Sequence, residues 1–172
     1  MAIGAIGNDG NGADSGHVRI YSNDGTGWSQ LGSDIDGEAA GDGPGSSISL
    51  SSDGKTVAIG NYLNDDNGVN SGLVRIYNYD GTSWLKLGSG IVGEAVNDNS
   101  GYSVSLSSDG KTVAIGATGN DGSGVDSGHV RIYNFNGTNW LKLGSGIVGE
   151  AVNDSSGSSV SLSSDGKTVA IG

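Results

Sequence analysis

Three pairs of carboxylates stand four residues apart and recur at one interval along the chain: Glu38 with Asp42, Glu94 with Asp98, and Glu150 with Asp154. Two neighbouring carboxyl groups can act as proton donor and acceptor, as they do in glycoside hydrolysis. Enzymes usually need one asymmetric site, however. Three identical pairs point to three identical sites or to a structural role, in which the carboxylates accept hydrogen bonds from backbone amides of a tight crossing loop. No nucleophile elbow, Walker loop or His-Glu-x-x-His motif accompanies them. The two histidines, His17 and His129, hold equivalent positions, and Leu73 fills the third. A position that accepts leucine reads as a strand-surface choice rather than a required ligand. The expectation is a protein that is not an enzyme and has no catalytic residues.

A second recurring set is rich in hard oxygen donors: Asp9, Asn11 and Asp14, then Asp65, Asn67 and Asn70, then Asp121, Ser123 and Asp126, interspersed with glycines. Oxygen donors in a flexible loop suit Ca²⁺, which takes six to eight of them. No bidentate glutamate closes the loop, so the pattern is not an EF-hand. The same residues also build Asx turns, in which the side chain binds nearby backbone. Both readings stand, with Ca²⁺ as the one candidate cofactor and none required.

Trp28, Trp84 and Trp140 form a third set. Each ring could stack on a sugar as a ligand-binding residue, or cover a groove between packed units, since an indole buries a large area. Arg19, Arg75 and Arg131 face away from the apolar residues beside them and are expected to pair with the repeated carboxylates.

All these residues keep a spacing of 56, and the segment Ser71–Gly116 matches Ser127–Gly172 at all but six positions. Such identity suggests recent duplication or design. A single repeat domain over 1–172 is expected, with repeats at 15–70, 71–126 and 127–172, the third completed by 1–14 or by another chain. Each repeat reads as four short strands. Ser47–Leu50 alternates polar and apolar residues. An Asp-Gly hairpin turn at Ser52–Lys55 leads to Thr56–Gly60. There Val57 and Ile59 face one way, and Ala58 and Gly60 leave room for another sheet on the other. A long loop then reaches Leu73–Tyr77, and a turn at Asp80-Gly81 precedes Trp84–Leu87. No window shows helical periodicity beyond one turn at Glu94–Val96. The fold class is all-β, with tandem four-stranded antiparallel blades of the β-propeller type and about thirteen strands. Val18, Ile20, Ile48, Leu50, Val57, Ile59 and their equivalents are the expected core.

Composition narrows the function. The net charge of −11 disfavours nucleic acid and anionic membranes. The absence of cysteine excludes disulfides and thiolate sites. The Met1–Gly4 stretch has no basic n-region or long apolar core, so no signal peptide is expected, and no stretch approaches the length of a membrane helix.

The Gly101–Leu106 stretch, the strand Val113–Ala117 and the strand Gly128–Tyr133 resemble the FG-GAP repeats of integrin α-chain propellers. The Ser-Ser-Asp-Gly-Lys turns also look like those of WD40-like and YVTN-type propellers. Both resemblances imply blades, and the first implies an extracellular or cell-surface setting. Ser100-Gly101 stands where Phe-Gly would be, and Thr118 follows Ala117 where proline would be. The five residues Ser107–Lys111 are too short for that family's calcium loop, so its calcium site does not carry over.

Two functions follow as expectations. One is a recognition module that binds glycan or protein through loops on one face. The other is a self-assembling scaffold, either a ring or a piece of a longer propeller. Met1–Gly4 corresponds to Val169–Gly172, so the third blade is split between the ends. Two chains closing a six-bladed ring is the expected homo-oligomer.

Overall fold

The Ser-Ser-Asp-Gly-Lys segments fold as hairpin turns because each aspartate closes its own loop. The Asp53 carboxylate accepts hydrogen bonds from the Ser51 hydroxyl (2.7 Å) and the Lys55 N–H (2.9 Å), while Gly54 takes a φ of 68°. The turns at Asp109 and Asp165 repeat this pattern. These bonds, the serine hydroxyl's first, hold all three carboxyls below their ordinary range.

The computed structural model describes residues 1–172, and every regular element in it is a β-strand. The first sheet contains β1 (Ala2–Ala5), β2 (His17–Asn23), β3 (Trp28–Gln30) and β4 (Ile35–Asp36). The second contains β5 (Ser47–Leu50), β6 (Thr56–Asn61), β7 (Leu73–Tyr79), β8 (Trp84–Lys86) and β9 (Ile91–Val92). The third contains β10 (Ser100–Leu106), β11 (Thr112–Ala117), β12 (His129–Phe135), β13 (Trp140–Lys142) and β14 (Ile147–Val148). The fourth has only β15 (Val160–Leu162) and β16 (Val169–Ile171). All pairings between these strands are antiparallel.

Sixteen strands form where about thirteen were expected. The additional ones include β4, β9 and β14, two residues each, in what the sequence presents as a crossing segment. They pair with the first half of β2, β7 and β12, while β3, β8 and β13 pair with the second half. The outer edge is thus one interrupted strand, broken where Gly32, Gly88 and Gly144 turn to positive φ. Glu94–Val96 forms turns and no helix.

The sheets pack face to face. Ala58, Val74, Ile76 and Ile91 of the second sheet meet Val104, Leu106, Val113 and Ile115 of the third. The seam between the first and second sheets uses the equivalent set, Val18, Ile20 and Ile35 against Val57, Ile59 and Tyr77. Several expected core positions are not buried: Ile132, Val160, Leu162, Val169 and Ile171 near one end of the stack are only half-buried, Ile3 at the other end is exposed, and Ile48 and Leu50 are half-buried in the second sheet. The sheet of Ile48 and Leu50 faces the first one, which has no strand equivalent to β5 to cover them. No hydrogen-bonded strand pair joins β1 to the fourth sheet, so the stack stays open within one chain.

Close approach depends on strand positions without a side chain. A methyl placed on Gly60 would overlap the carbonyl oxygen of Gly101, and one on Gly116 would overlap that of Gly157. Gly27, in contrast, has open space around its Cβ position and no positive φ. Gly60→Ala should therefore destabilise the protein by about 2 kcal/mol or more, the range for overpacking a close contact. Gly27→Ala should be within about 0.5 kcal/mol of neutral, as surface changes usually are. Chemical denaturation of the two variants checks the contrast.

Candidate functional site

The recurring polar residues converge on the seams between sheets. Contacts of one kind recur from seam to seam at the repeat interval, and the seam between the second and third sheets carries the full set. On the outer side, the Trp84 indole N–H donates to the Leu31 carbonyl (2.7 Å), and Trp140 donates to Leu87 (2.8 Å). Both tryptophans are half-buried and lean on Tyr79 and Phe135. On the inner side, the hydroxyl oxygens of Ser47 and Ser49 accept bonds from the Val104 and Leu106 N–H groups, at 2.8 and 2.9 Å. Ser105 does the same for Leu162 (2.9 Å). Backbone bonds of 3.0 Å also run from Ser52 N–H to Ser108 and from Ser108 N–H to Ser164. These serines were not singled out by sequence reasoning, because their partners lie about one repeat away.

The paired carboxylates divide their work across the same seam. Asp42 accepts the Ala39 N–H (2.9 Å) on one oxygen and the Asn64 amide of the next sheet (3.1 Å) on the other. Asp98 accepts the Glu94 and Ala95 N–H groups and the Asn120 amide. Asp154 accepts the Glu150 and Ala151 N–H groups. Glu38 pairs with Arg75 and Lys86 of the following sheet, and Glu94 pairs with Arg131. Burial works to raise the Glu38 pKa, but the Lys86 and Arg75 bonds outweigh it and hold the carboxyl below its ordinary range. Each aspartate thus organises its loop while two of the glutamates reach the neighbouring sheet.

The Asp/Asn loops bind their own backbone. One oxygen of Asp9, Asp65 and Asp121 accepts the N–H of Asp14, Asn70 and Asp126, at 2.8, 2.7 and 2.9 Å. Those three acceptor loops bend through positive φ at Asp14, Asn70 and Asp126. The Asn11 and Asn67 amides donate to the Gly37 and Gly93 carbonyls, and the Ser123 N–H donates to Ser127. The Asx turns of these loops are made by the preceding asparagines, Asn8, Asn64 and Asn120, which accept the N–H two residues on, while one oxygen of each leading aspartate closes the loop across five residues.

One cluster escaped sequence reasoning. His17, Asp34 and Asp36 bring ligand atoms within 4.8 Å of one another. Asp34 and Asp36 stand where the later repeats have Gly90 and Gly146, and Val92 and Val148. That departure from the repeat was the available signal. A cation already sits there, because Arg19 donates twice to one Asp34 oxygen, at 2.9 and 2.8 Å, and Gln30 donates to the other at 2.6 Å. Its counterpart His129 is buried, which lowers its pKa against the pull of Asp98. The cavity between the first two sheets, beside Asn61, Arg75 and Tyr77, holds about 20 Å³, the size of one water molecule.

At the two ends of the stack the equivalents of seam residues are exposed. Trp28 is 57% exposed, whereas Trp84 and Trp140 are half-buried. Ile3 is 47% exposed, against 3% for Ile59 and 2% for Ile115. At the other end Ile147 is 44% exposed, against 7% for both Ile35 and Ile91. Asp154 and Leu143 are likewise exposed where their equivalents Asp42, Asp98, Leu31 and Leu87 are covered at least in part.

The chain matches no known protein-family model and no curated protein.

The loop-closing bond of the leading aspartate sets an expectation for the loops. Asp65→Asn keeps an oxygen to accept the Asn70 N–H and should leave the melting temperature nearly unchanged in excess EDTA. Asp65→Ala leaves that N–H without its partner and should cost about 1 kcal/mol. A melting temperature that rises with added Ca²⁺, and loses that rise in Asp65→Asn, would instead identify the carboxylate as a metal ligand.

Proposed function

We propose that this chain is a non-catalytic module of propeller-type blades whose working surfaces are its two end faces, and that its function is assembly with further blades of its own kind. The observation that carries this reading is the mismatch in burial between equivalent residues. Trp28, Ile3 and Ile147 have the chemistry of seam residues, and their counterparts are covered inside the stack. Blade repeats draw their stability from neighbouring blades, so an end face without a neighbour is an unsatisfied interface. The two faces differ and are complementary: one presents an indole donor and Arg19, the other the Leu143 carbonyl and Glu150. The repeated carboxylates and tryptophans support the reading because the seams already employ them.

Recognition of glycan or protein by the loop face is a second reading, favoured by one feature. A cleft of about 470 Å³ opens between the Glu38–Asp42 stretch and the following loop, lined by Glu38, Asp42, Asn64, Asp65, Asp66 and Asn70. Its carboxylates and amides could hold hydroxyl or cationic groups. Binding on a glycan array that disappears in Asp66→Ala would favour this reading.

Light scattering over a concentration series tests the assembly reading. The 172-residue chain should associate, with tryptophan emission moving to shorter wavelength as Trp28 is covered. Trp28→Ala should weaken association about tenfold or more, as loss of a buried aromatic anchor does at interfaces. A chain that stays a monodisperse monomer at high concentration would overturn the reading.

A further inference from the structure

We propose that the Met1–Ala5 stretch is a displaceable plug: in a head-to-tail pair of chains, β16 of one copy takes the place of β1 on β2 of the other. This rests on the end-face reading above and names the partner as a second copy of the chain.

The register makes the two strands interchangeable. β1 lies on β2 with Ala2 opposite Ile20 and Ile3 opposite Arg19. The repeat places Ala170 and Ile171 where Ala2 and Ile3 stand. The residue before Ala2 differs, however. Val57 and Val113 fill that position in the second and third sheets and are fully buried. β16 offers Val169 there, whereas β1 offers Met1, whose terminal ammonium donates to the Tyr21 carbonyl (2.7 Å) at an exposed site. β1 is also short, four residues against six in β6 and β11. β16 arrives already paired with β15, so it brings a further strand to the one sheet that lacks an equivalent of β5 and β10. A hydrogen-bonded hairpin thus competes against a single short strand for the same edge.

The side chains around the junction follow the same logic. Arg75 and Arg131 reach back to Glu38 and Glu94 of the preceding sheet. Arg19 instead folds onto Asp34 of its own sheet, an acid absent from the other repeats. Gly90 and Gly146 hold that position there, next to the Arg75 and Arg131 side chains. Asp34 is therefore a stand-in for Glu150 of a second copy. Displacement by the repeat interval also sets the Trp28 indole N–H on the Leu143 carbonyl and the Asn8 amide on Asp154. Ser161 would then accept the Leu50 N–H, as Ser105 accepts that of Leu162. Each half-seam at one end thus finds its complement at the other end of a second copy. Two such junctions complete six blades, within the four to eight common for propellers.

Sedimentation velocity over a dilution series tests the plug. A chain lacking Met1–Gly4 should dimerise at least tenfold more tightly than the 172-residue chain. Arg19→Glu should weaken dimerisation of the full chain, and adding Glu150→Arg should restore it. Since the shortened chain could lose its first sheet, a trap in the full chain gives an independent reading. Thr56 lies opposite Asn78, and Thr112 opposite Asn134, so Thr168 of one copy should lie opposite Ser22 of the other. The protein has no cysteine of its own. Mixing Thr168→Cys chains with Ser22→Cys chains under oxidation should give a disulfide-linked dimer, because antiparallel partners lie within disulfide range. If the full chain associates but no cross-link forms and the shortened chain gains nothing, the plug is overturned and the end-face reading stands. If no chain associates at any concentration, both are overturned.

Discussion

The whole stack depends on a steric constraint that recurs once at each of its three seams. Where β6 and β11 face the next sheet, Gly60 and Gly116 present only backbone, and the carbonyls of Gly101 and Gly157 occupy the space a methyl would need. Gly4 and Gly45 repeat the contact at the first seam. Sheets packed through ordinary side chains lie about 10 Å apart. Local removal of those side chains lets the inner strands approach closely, with β5 and β6 against β10, and β10 and β11 against β15. Only at that distance can Ser47, Ser49 and Ser105 accept bonds from the backbone of the following sheet.

That approach explains the remaining division of labour. In the seam between the second and third sheets the inner side is closed by glycine and serine, the middle by Val, Ile and Leu, and the outer side by an indole that donates to a leucine carbonyl. Arginine and asparagine join the sheets at their rims. Every one of these contacts crosses a seam, so each sheet depends on its neighbours for them. Stability is then close to a sum over neighbours. Trp28 at one end and Ile147 at the other are exposed, where their counterparts inside the stack are covered at least in part.

Much of this was legible in the sequence. Alternation, the Asp-Gly turns and the 56-residue interval locate the four principal strands of each repeat. Ala58 and Gly60 signal a close neighbour. Both members of each carboxylate pair were expected to bind loop amides, and only the aspartates do so; all three arginines were expected to pair with these carboxylates, and Arg75 and Arg131 do while Arg19 meets Asp34 instead. The short strands β4, β9 and β14 were not legible, because two residues carry no periodicity and their pairing depends on where the outer edge resumes. The serine and tryptophan bonds between sheets were equally hidden, since their partners are backbone groups 53 to 57 residues away. The half-burial of Ile48 and Leu50 follows from a strand missing in the neighbouring sheet, which a residue-by-residue reading does not reveal. Asp34 and Asp36 were visible as departures from the repeat, but their meaning rests on the conformation of Arg19.

Amide hydrogen exchange, followed strand by strand at low and high protein concentration, tests the central claim that neighbouring sheets supply the stability. In dilute solution protection should be greatest in β6, β7, β10 and β11, which have sheets on both sides, and should fall toward β2–β4 and β12–β14. Raising the concentration should increase protection at those two ends together and leave the middle unchanged. Equal protection across all sheets, insensitive to concentration, would show that each sheet is stable by itself and would contradict the account.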